Sequence, residues 1–138
     1  MNYTPLYLRR NSERTVRNGH PWIFSGAVER RPKDAQNGES VDVFDHRDTF
    51  VCRGFYNKRS LIRVRSLTRE PHQAIGYAFF QQRIAEAVAV RRATDLAHHT
   101  DAMRLVHGES DGLPGLIVDD YAGYLVLQIH TCLLYPSP

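Results

Sequence analysis

The sequence predicts an α+β protein of two small domains, and three observations predict it. Apolar and polar side chains alternate between Glu39 and Leu67, a helical repeat fills residues 75–96, and a turn-rich hairpin occupies residues 107–130. A length of 138 residues accommodates one ordinary domain or two small ones, and 42% hydrophobic against 24% charged residues is the balance of a folding chain, not a disordered one.

The first element is short. "SERTVRNGHPW" opens with Ser12, suited to an N-cap, and closes on Asn18-Gly19 ahead of Pro21, so one brief helix is expected there. Its polar face carries Arg14 and Arg17, close to Arg9 and Arg10. "PWIFSGAVERR" follows, where Trp22, the only tryptophan, sits beside Ile23 and Phe24, a set expected to anchor a small core.

From Glu39 the period becomes two. "ESVDVFD", "TFVCRGFYN" and "LIRVRSL" read as three strands joined by the turns "DHRD" and "NKRS", which makes a β meander. In the third strand Ile62 and Val64 lie on one face and Arg63 and Arg65 on the other, about 7 Å apart at strand spacing and near the interval of successive phosphates in one nucleic-acid strand. Lys58 and Arg59 lengthen the row from the adjoining turn. The competing reading is a sheet edge protected by cations.

Composition shifts at Glu70-Pro71-His72, the expected domain boundary. "IGYAFFQQRIAEAVAVRRATDL" reads as a helix whose Phe80, Ile84, Ala87 or Val88, and Arg91 recur at steps of three and four, a stripe read as core. "AHHTDA" reads as loop, and His98-His99 lack a third ligand at a metal-site spacing. Met103 to His107 leads as a strand into "HGESDGLPGLIVDDYAGYLVLQIH". There Asp111-Gly112 and Pro114-Gly115 are turns, and Gly115–Asp119 and Tyr124–Ile129 are strands.

Charge is divided unevenly. Residues 1–70 hold 14 Lys+Arg against 8 Asp+Glu, a balance of +6, whereas residues 71–138 hold 4 against 7, a balance of −3. A basic half rich in arginine suits a polyanion such as nucleic acid; a merely solvated basic surface is the alternative. No apolar run approaches the roughly 20 residues of a membrane span, and the N-terminus lacks secretory-signal order, so a cytoplasmic location is expected. Cys52 and Cys132 show no metal-ligand pattern and read as reduced strand side chains. No nucleophile elbow, Walker loop, HExxH or GxGxxG turn is present, so no catalytic, cofactor-binding or metal residues are assigned. Turn chemistry accounts for Asp111, as a cap, and Glu109 reads as solvated.

"RNGHPWIFSGAVER", "VDVFDHRDTFVCRGFYNKRSLIRVRSLTRE" and "RLVHGESDGLPGLIVDDYAGYLVLQ" together resemble the N-terminal portion of the bacterial S-adenosylmethionine-dependent methyltransferases that form 5-methylcytosine in large-subunit ribosomal RNA. The resemblance runs from about Tyr7 to Ile129, and "GESDGLPGLIVD" is its most specific part. It implies a PUA domain, a small RNA-binding β barrel, over residues 1–70, and an α+β linking domain with a hairpin over 72–130. In that family a Rossmann-type methyltransferase domain holding the cofactor and both catalytic cysteines comes next. This chain is read as lacking it, so neither Cys52 nor Cys132 inherits that role. "HTCLLYPSP" departs from the family, and residues 131–138 are read as an atypical tail of a truncated sequence. The resemblance implies ribosomal RNA as partner. Arg9, Arg10, Arg14, Arg17, Lys58, Arg59, Arg63 and Arg65 become phosphate contacts, and Tyr56 is either a base-stacking aromatic or core. The expected function is RNA positioning, without activity in the absence of the catalytic domain, or alternatively that of a self-standing PUA-type adaptor. Without its neighbour the hairpin would expose an apolar face through which two copies could pair.

Overall fold

The computed structural model describes residues 2–131. Contacts divide the chain into two units, residues 1–74 and 75–138.

The first unit holds the strands β1 (Thr4–Leu8), β2 (Trp22–Phe24), β3 (Val28–Arg30), β4 (Ser40–Phe44), β5 (Phe50–Tyr56) and β6 (Ile62–Thr68), with helix α1 (Glu13–Arg17) between β1 and β2. Alternation places β4, β5 and β6 where the meander was expected, and they pair antiparallel in that order. β1 adds to β4 in parallel and carries β3 on its far side, giving the sheet order β2-β6-β5-β4-β1-β3. The two outermost strands are neighbours in sequence, separated only by the 3-10 turn Ser25–Ala27. Three residues reach about 10 Å, so the sheet must curl until its edges nearly meet. It is an open, curled sheet instead of a closed barrel, because among the described residues β2 and β3 share no ladder.

Inside the curl lie Leu6, Leu8, Val16, Ile23, Val28, Val41, Val43, Cys52, Tyr56 and Val64. Each fully buried aliphatic side chain contributes about 1.5–3 kcal/mol. Trp22 is half-buried and Phe24 is 48% exposed, so of the expected anchors only Ile23 is core. In α1 the single buried residue is Val16. Ser12 has helical dihedrals and makes no side-chain cap, contrary to expectation, while Gly19 ends the helix with φ +107. Gly54 permits β5 and β6 to meet: a Cβ there would stand 2.2 Å from the Arg65 carbonyl oxygen.

On the outer face Arg53, 5% exposed, forms a fork with Asp42 (2.6 and 3.1 Å). Its remaining donors reach the Pro71 carbonyl at 3.1 Å and the Gln73 carbonyl, and its guanidinium lies 3.9 Å from the Tyr3 ring centroid. Residues 71–74 therefore pack with the first unit, although the sequence places the boundary at Pro71.

The second unit comprises α2 (Tyr77–Arg92), β7 (Ala102–His107), β8 (Leu116–Tyr121) and β9 (Tyr124–Ile129), the strands forming an antiparallel sheet in that order. Ala87 packs with Leu105, Val106, Leu113 and Leu116, flanked by Phe80 and Val88. The expected helical stripe is only partly core: Phe79 is buried instead, Ile84 is exposed, and Arg91 forks to Asp111 at 2.5 and 2.7 Å. Residues 95–98 form a 3-10 turn, where the helix was expected to run to Leu96 and a loop to follow. β8 and β9 join through Ala122 and Gly123, both at positive φ (54 and 93), the primed-turn geometry that matches strand twist. Tyr124, Leu125, Val126 and Leu127 are all exposed. Cys132 and the expected atypical tail lie outside the described residues, apart from Thr131.

Candidate nucleic-acid interface

Strand register sorts the sequence-predicted cations into two groups. Arg9 and Arg10 follow the end of β1, which runs parallel to β4, and Arg17 reaches Asp45 just beyond β4. Arg14 shares α1 with Arg17. Lys58 and Arg59 stand in the turn after β5, at the opposite end of the same ladder. The two ends of β5 are about 20 Å apart at ~3.3 Å per residue. A single continuous row is therefore not what the fold builds.

At the first end two of the four arginines are paired. Arg9 lies 3.7 Å from Glu29, and Arg17 Nη2 donates to Asp45 Oδ2 at 3.0 Å. Asp45 is 7% exposed. Desolvation would raise its pKa, but bonds from the Thr49 and Arg47 backbone N–H groups and the field of Arg17 outweigh it and hold the carboxyl below its usual range. Arg10 and Arg14 are exposed and carry no ion pair among the described residues. Arg69, which the sequence reading passed over, is exposed at this end and donates Nε to the Val16 carbonyl at 3.1 Å.

At the second end Lys58 and Arg59 are exposed, in a turn pinned by Asn37 and Asn57 side-chain oxygens on their backbone N–H groups (2.8 and 3.0 Å). Arg63 departs from the expectation. It is 6% exposed, and its Nη1 donates to the carbonyls of Asn57 (3.2 Å) and Lys58. Those carbonyls belong to the turn and need a donor, so the guanidinium folds back onto them instead of projecting outward. Arg65 is half-buried, 5.5 Å from the Trp22 ring centroid in a cluster with His20 and Phe24. Tyr56, 3% exposed, is part of the core. Burial removes Arg63 and Tyr56 from the exposed set.

Sequence reading also passed over "VERRPKD" as a surface. Arg30, Arg31 and Lys33 are exposed along one groove with Tyr7. In the second unit the Asp111 carboxylate, expected to cap its own turn, reaches back instead: it accepts the His107 N–H at 2.6 Å and the Arg91 fork, which ties α2 to the loop. Glu109, expected in solvent, is half-buried.

Among the described residues no three His, Cys, Asp or Glu side chains gather as metal ligands. His99 instead contacts Asp95 at 3.1 Å. Two junctions between a strand and an α-helix are described, residues 9–12 and 69–76, and neither carries a glycine at positive φ. Such a turn is what brings backbone close to a nucleoside cofactor, and neither of these two junctions supplies one. No helix among the described residues is long and apolar enough to cross a membrane.

Residues 6–69 match the family model of a PUA-like domain. The chain is 40% identical over 124 residues to ribosomal RNA large subunit methyltransferase I of Escherichia coli (strain K12) and to the protein of the same name from Shigella flexneri serotype 5b. That alignment covers 90% of this chain and 31% of either relative, so the chain spans about a third of their length. In fold it resembles SMU.776, a structure described as a methyltransferase complexed with SAH, with a TM-score of 0.81 at 16% identity over 96% of this chain and 34% of that one. A second structure, assigned to SAM-dependent methyltransferases of Streptococcus mutans, gives 0.78 with the same identity and coverage.

Proposed function

We propose that this chain, with its PUA-like first unit and its likeness to large-subunit ribosomal RNA methyltransferases, is an RNA-binding and positioning part of such an enzyme, acting in the cytoplasm. Arg10, Arg14 and Arg69 grip RNA phosphates at one end of the β4-β5-β6 ladder, and Lys58, Arg59 and Arg65 do so at the other, with Arg9 and Arg17 contributing less because carboxylates already hold them. The two ends, about 20 Å apart, span about three intervals between successive phosphates of one strand at ~7 Å each. Phosphate contacts of this kind fix register and carry no base identity. The chemistry they serve is methyl transfer to cytosine C5 with S-adenosylmethionine as donor, and the base is presented to a catalytic domain that these residues do not form. Alone, the chain transfers no methyl group. In the second unit, the exposed β9 strand is a face through which two copies can pair.

The observation that carries this reading is the exposure of Arg10 and Arg14 at one end of the curled sheet and of Lys58 and Arg59 at the other, none of them in an ion pair among the described residues, within a PUA-like domain. Titration of a ribosomal RNA fragment at several salt concentrations tests it. Affinity should fall steeply with salt, and Arg10→Ala/Arg14→Ala or Lys58→Ala/Arg59→Ala should each lower the log–log slope by about two. A flat plot rejects phosphate contact. Slopes lowered by one pair and unmoved by the other confine contact to one end.

A further inference from the structure

Outside the two cation groups, four adjacent strands carry a stack of side chains in register. Phe50 on β5 pairs with Phe44 on β4, Phe44 pairs with Tyr7 on β1, and Tyr7 pairs with Arg30 on β3. The rings follow the register: Phe44 and Phe50 meet edge to face at 6.1 Å, and Tyr7 stacks on Phe44 at 5.6 Å and 28°. The Arg30 guanidinium caps the series 3.9 Å over the Tyr7 ring. Phe50, Phe44 and Tyr7 are half-buried whereas Arg30 is exposed on an outermost strand, so the stack ends at the surface in a planar cation. Beside it runs a groove of about 500 Å³ lined by Pro5, Tyr7, Arg30, Arg31, Pro32 and Lys33 among others. Three cations face one carboxylate, Asp34, and neither Arg31 nor Lys33 has an ion-pair partner among the described residues.

We infer that this groove holds one unpaired nucleotide of a single-stranded RNA segment. The base lies on the Arg30 guanidinium as the next layer of the Phe50–Phe44–Tyr7–Arg30 stack, and Arg31 and Lys33 contact the flanking phosphates. A guanidinium plane is a platform for an unstacked base, and one already seated over an aromatic ring loses less freedom when a base settles on it. An acidic protein segment would be drawn by the same charge but would make no use of the stack. The inference rests on the RNA-binding reading above and extends it to a groove of other residues that engages single strands.

Arg30→Lys keeps the charge and removes the plane, and Arg31→Ser/Lys33→Ser removes the phosphate contacts while leaving the stack. With the full chain, affinity is measured for a short oligouridylate, for a blunt RNA duplex and for polyglutamate. Arg30→Lys should weaken oligouridylate binding about tenfold with an unchanged salt slope, and leave duplex binding as in the parent. Arg31→Ser/Lys33→Ser should lower the oligouridylate slope by about two. If both variants bind oligouridylate like the parent while the parent still grips duplex in a salt-dependent way, the groove is no nucleotide site and the RNA-binding reading stands. Equal losses on duplex and oligouridylate also overturn the groove, because they report a general cationic surface. A parent that binds polyglutamate and neither RNA, or nothing at all, overturns both.

Discussion

The two units treat charge and apolar surface in opposite ways. In the first, apolar side chains are gathered inside a curled sheet while Arg10, Arg14, Lys58 and Arg59 stand exposed. In the second, two of the four arginines are committed to carboxylates, Arg91 to Asp111 and Arg104 to Asp119 (2.8 and 3.2 Å), whereas Tyr124, Leu125, Val126 and Leu127 lie open to solvent. Exposed unpaired cations are what a polyanion requires, and a strand apolar on both faces is what a protein neighbour requires. The net charges of the two halves, +6 and −3 over residues 1–70 and 71–138, reflect that division of labour.

The comparison breaks most sharply at Arg53. Replacing it by alanine leaves Asp42 unpaired on a mostly buried face, and should cost the first unit about 3–5 kcal/mol in urea denaturation followed by Trp22 fluorescence. A cost below about 1 kcal/mol would class the pair with surface ion pairs. In the second unit Asp111→Asn removes a partly buried fork, and a loss of about 1–2 kcal/mol is expected.

That variant also tests a pH dependence. Burial would raise the Asp111 carboxyl, but the Arg91 fork and the His107 N–H prevail and hold it low in the folded state. A carboxyl lowered on folding stabilises above its unfolded value of about 3.9, and that stability is lost as pH falls through the folded value. The second unit should therefore weaken on acidification below about pH 4, and Asp111→Asn should flatten the curve. A parent curve flat across that range would contradict the assignment.

A gentler test concerns the open strand. Leu125→Ser/Leu127→Ser should abolish concentration-dependent association in sedimentation and leave RNA affinity unaltered. Association that persists would move the contact away from β9. The smallest effect falls on Cys52, whose thiol burial pushes up to about 11. Alkylation at pH 8 should proceed only as the first unit unfolds, and rapid labelling of the native protein would show that the core opens locally.

Strong local periodicity made the meander, α2 and the β8–β9 hairpin legible, since a period of two or of three and four is written in neighbouring residues. β1 and β3 were not, because their pairing joins segments some twenty to forty residues apart and no local pattern encodes a parallel partner. Alternation set Arg63 and Arg65 on the face opposite Val64. It could not show that the carbonyls of Asn57 and Lys58 would draw the Arg63 guanidinium inward, since that demand arises only once the turn has closed. Tyr56 was ambiguous for a related reason: an aromatic in a strand serves core or surface equally well until the curl of the sheet decides. The cation groups were visible as composition, and their separation was not, because it depends on which strand ends coincide.

Arg53 holds the carbonyls of Pro71 and Gln73, so the path by which the chain leaves the curled sheet is anchored by the same side chain that neutralises Asp42. Anyone excising the domain should keep residues through Ala74. Cutting after Glu70, where composition alone invites the cut, would strip two acceptors from a guanidinium that water barely reaches, and the shortened piece would start life weakened at its own exit.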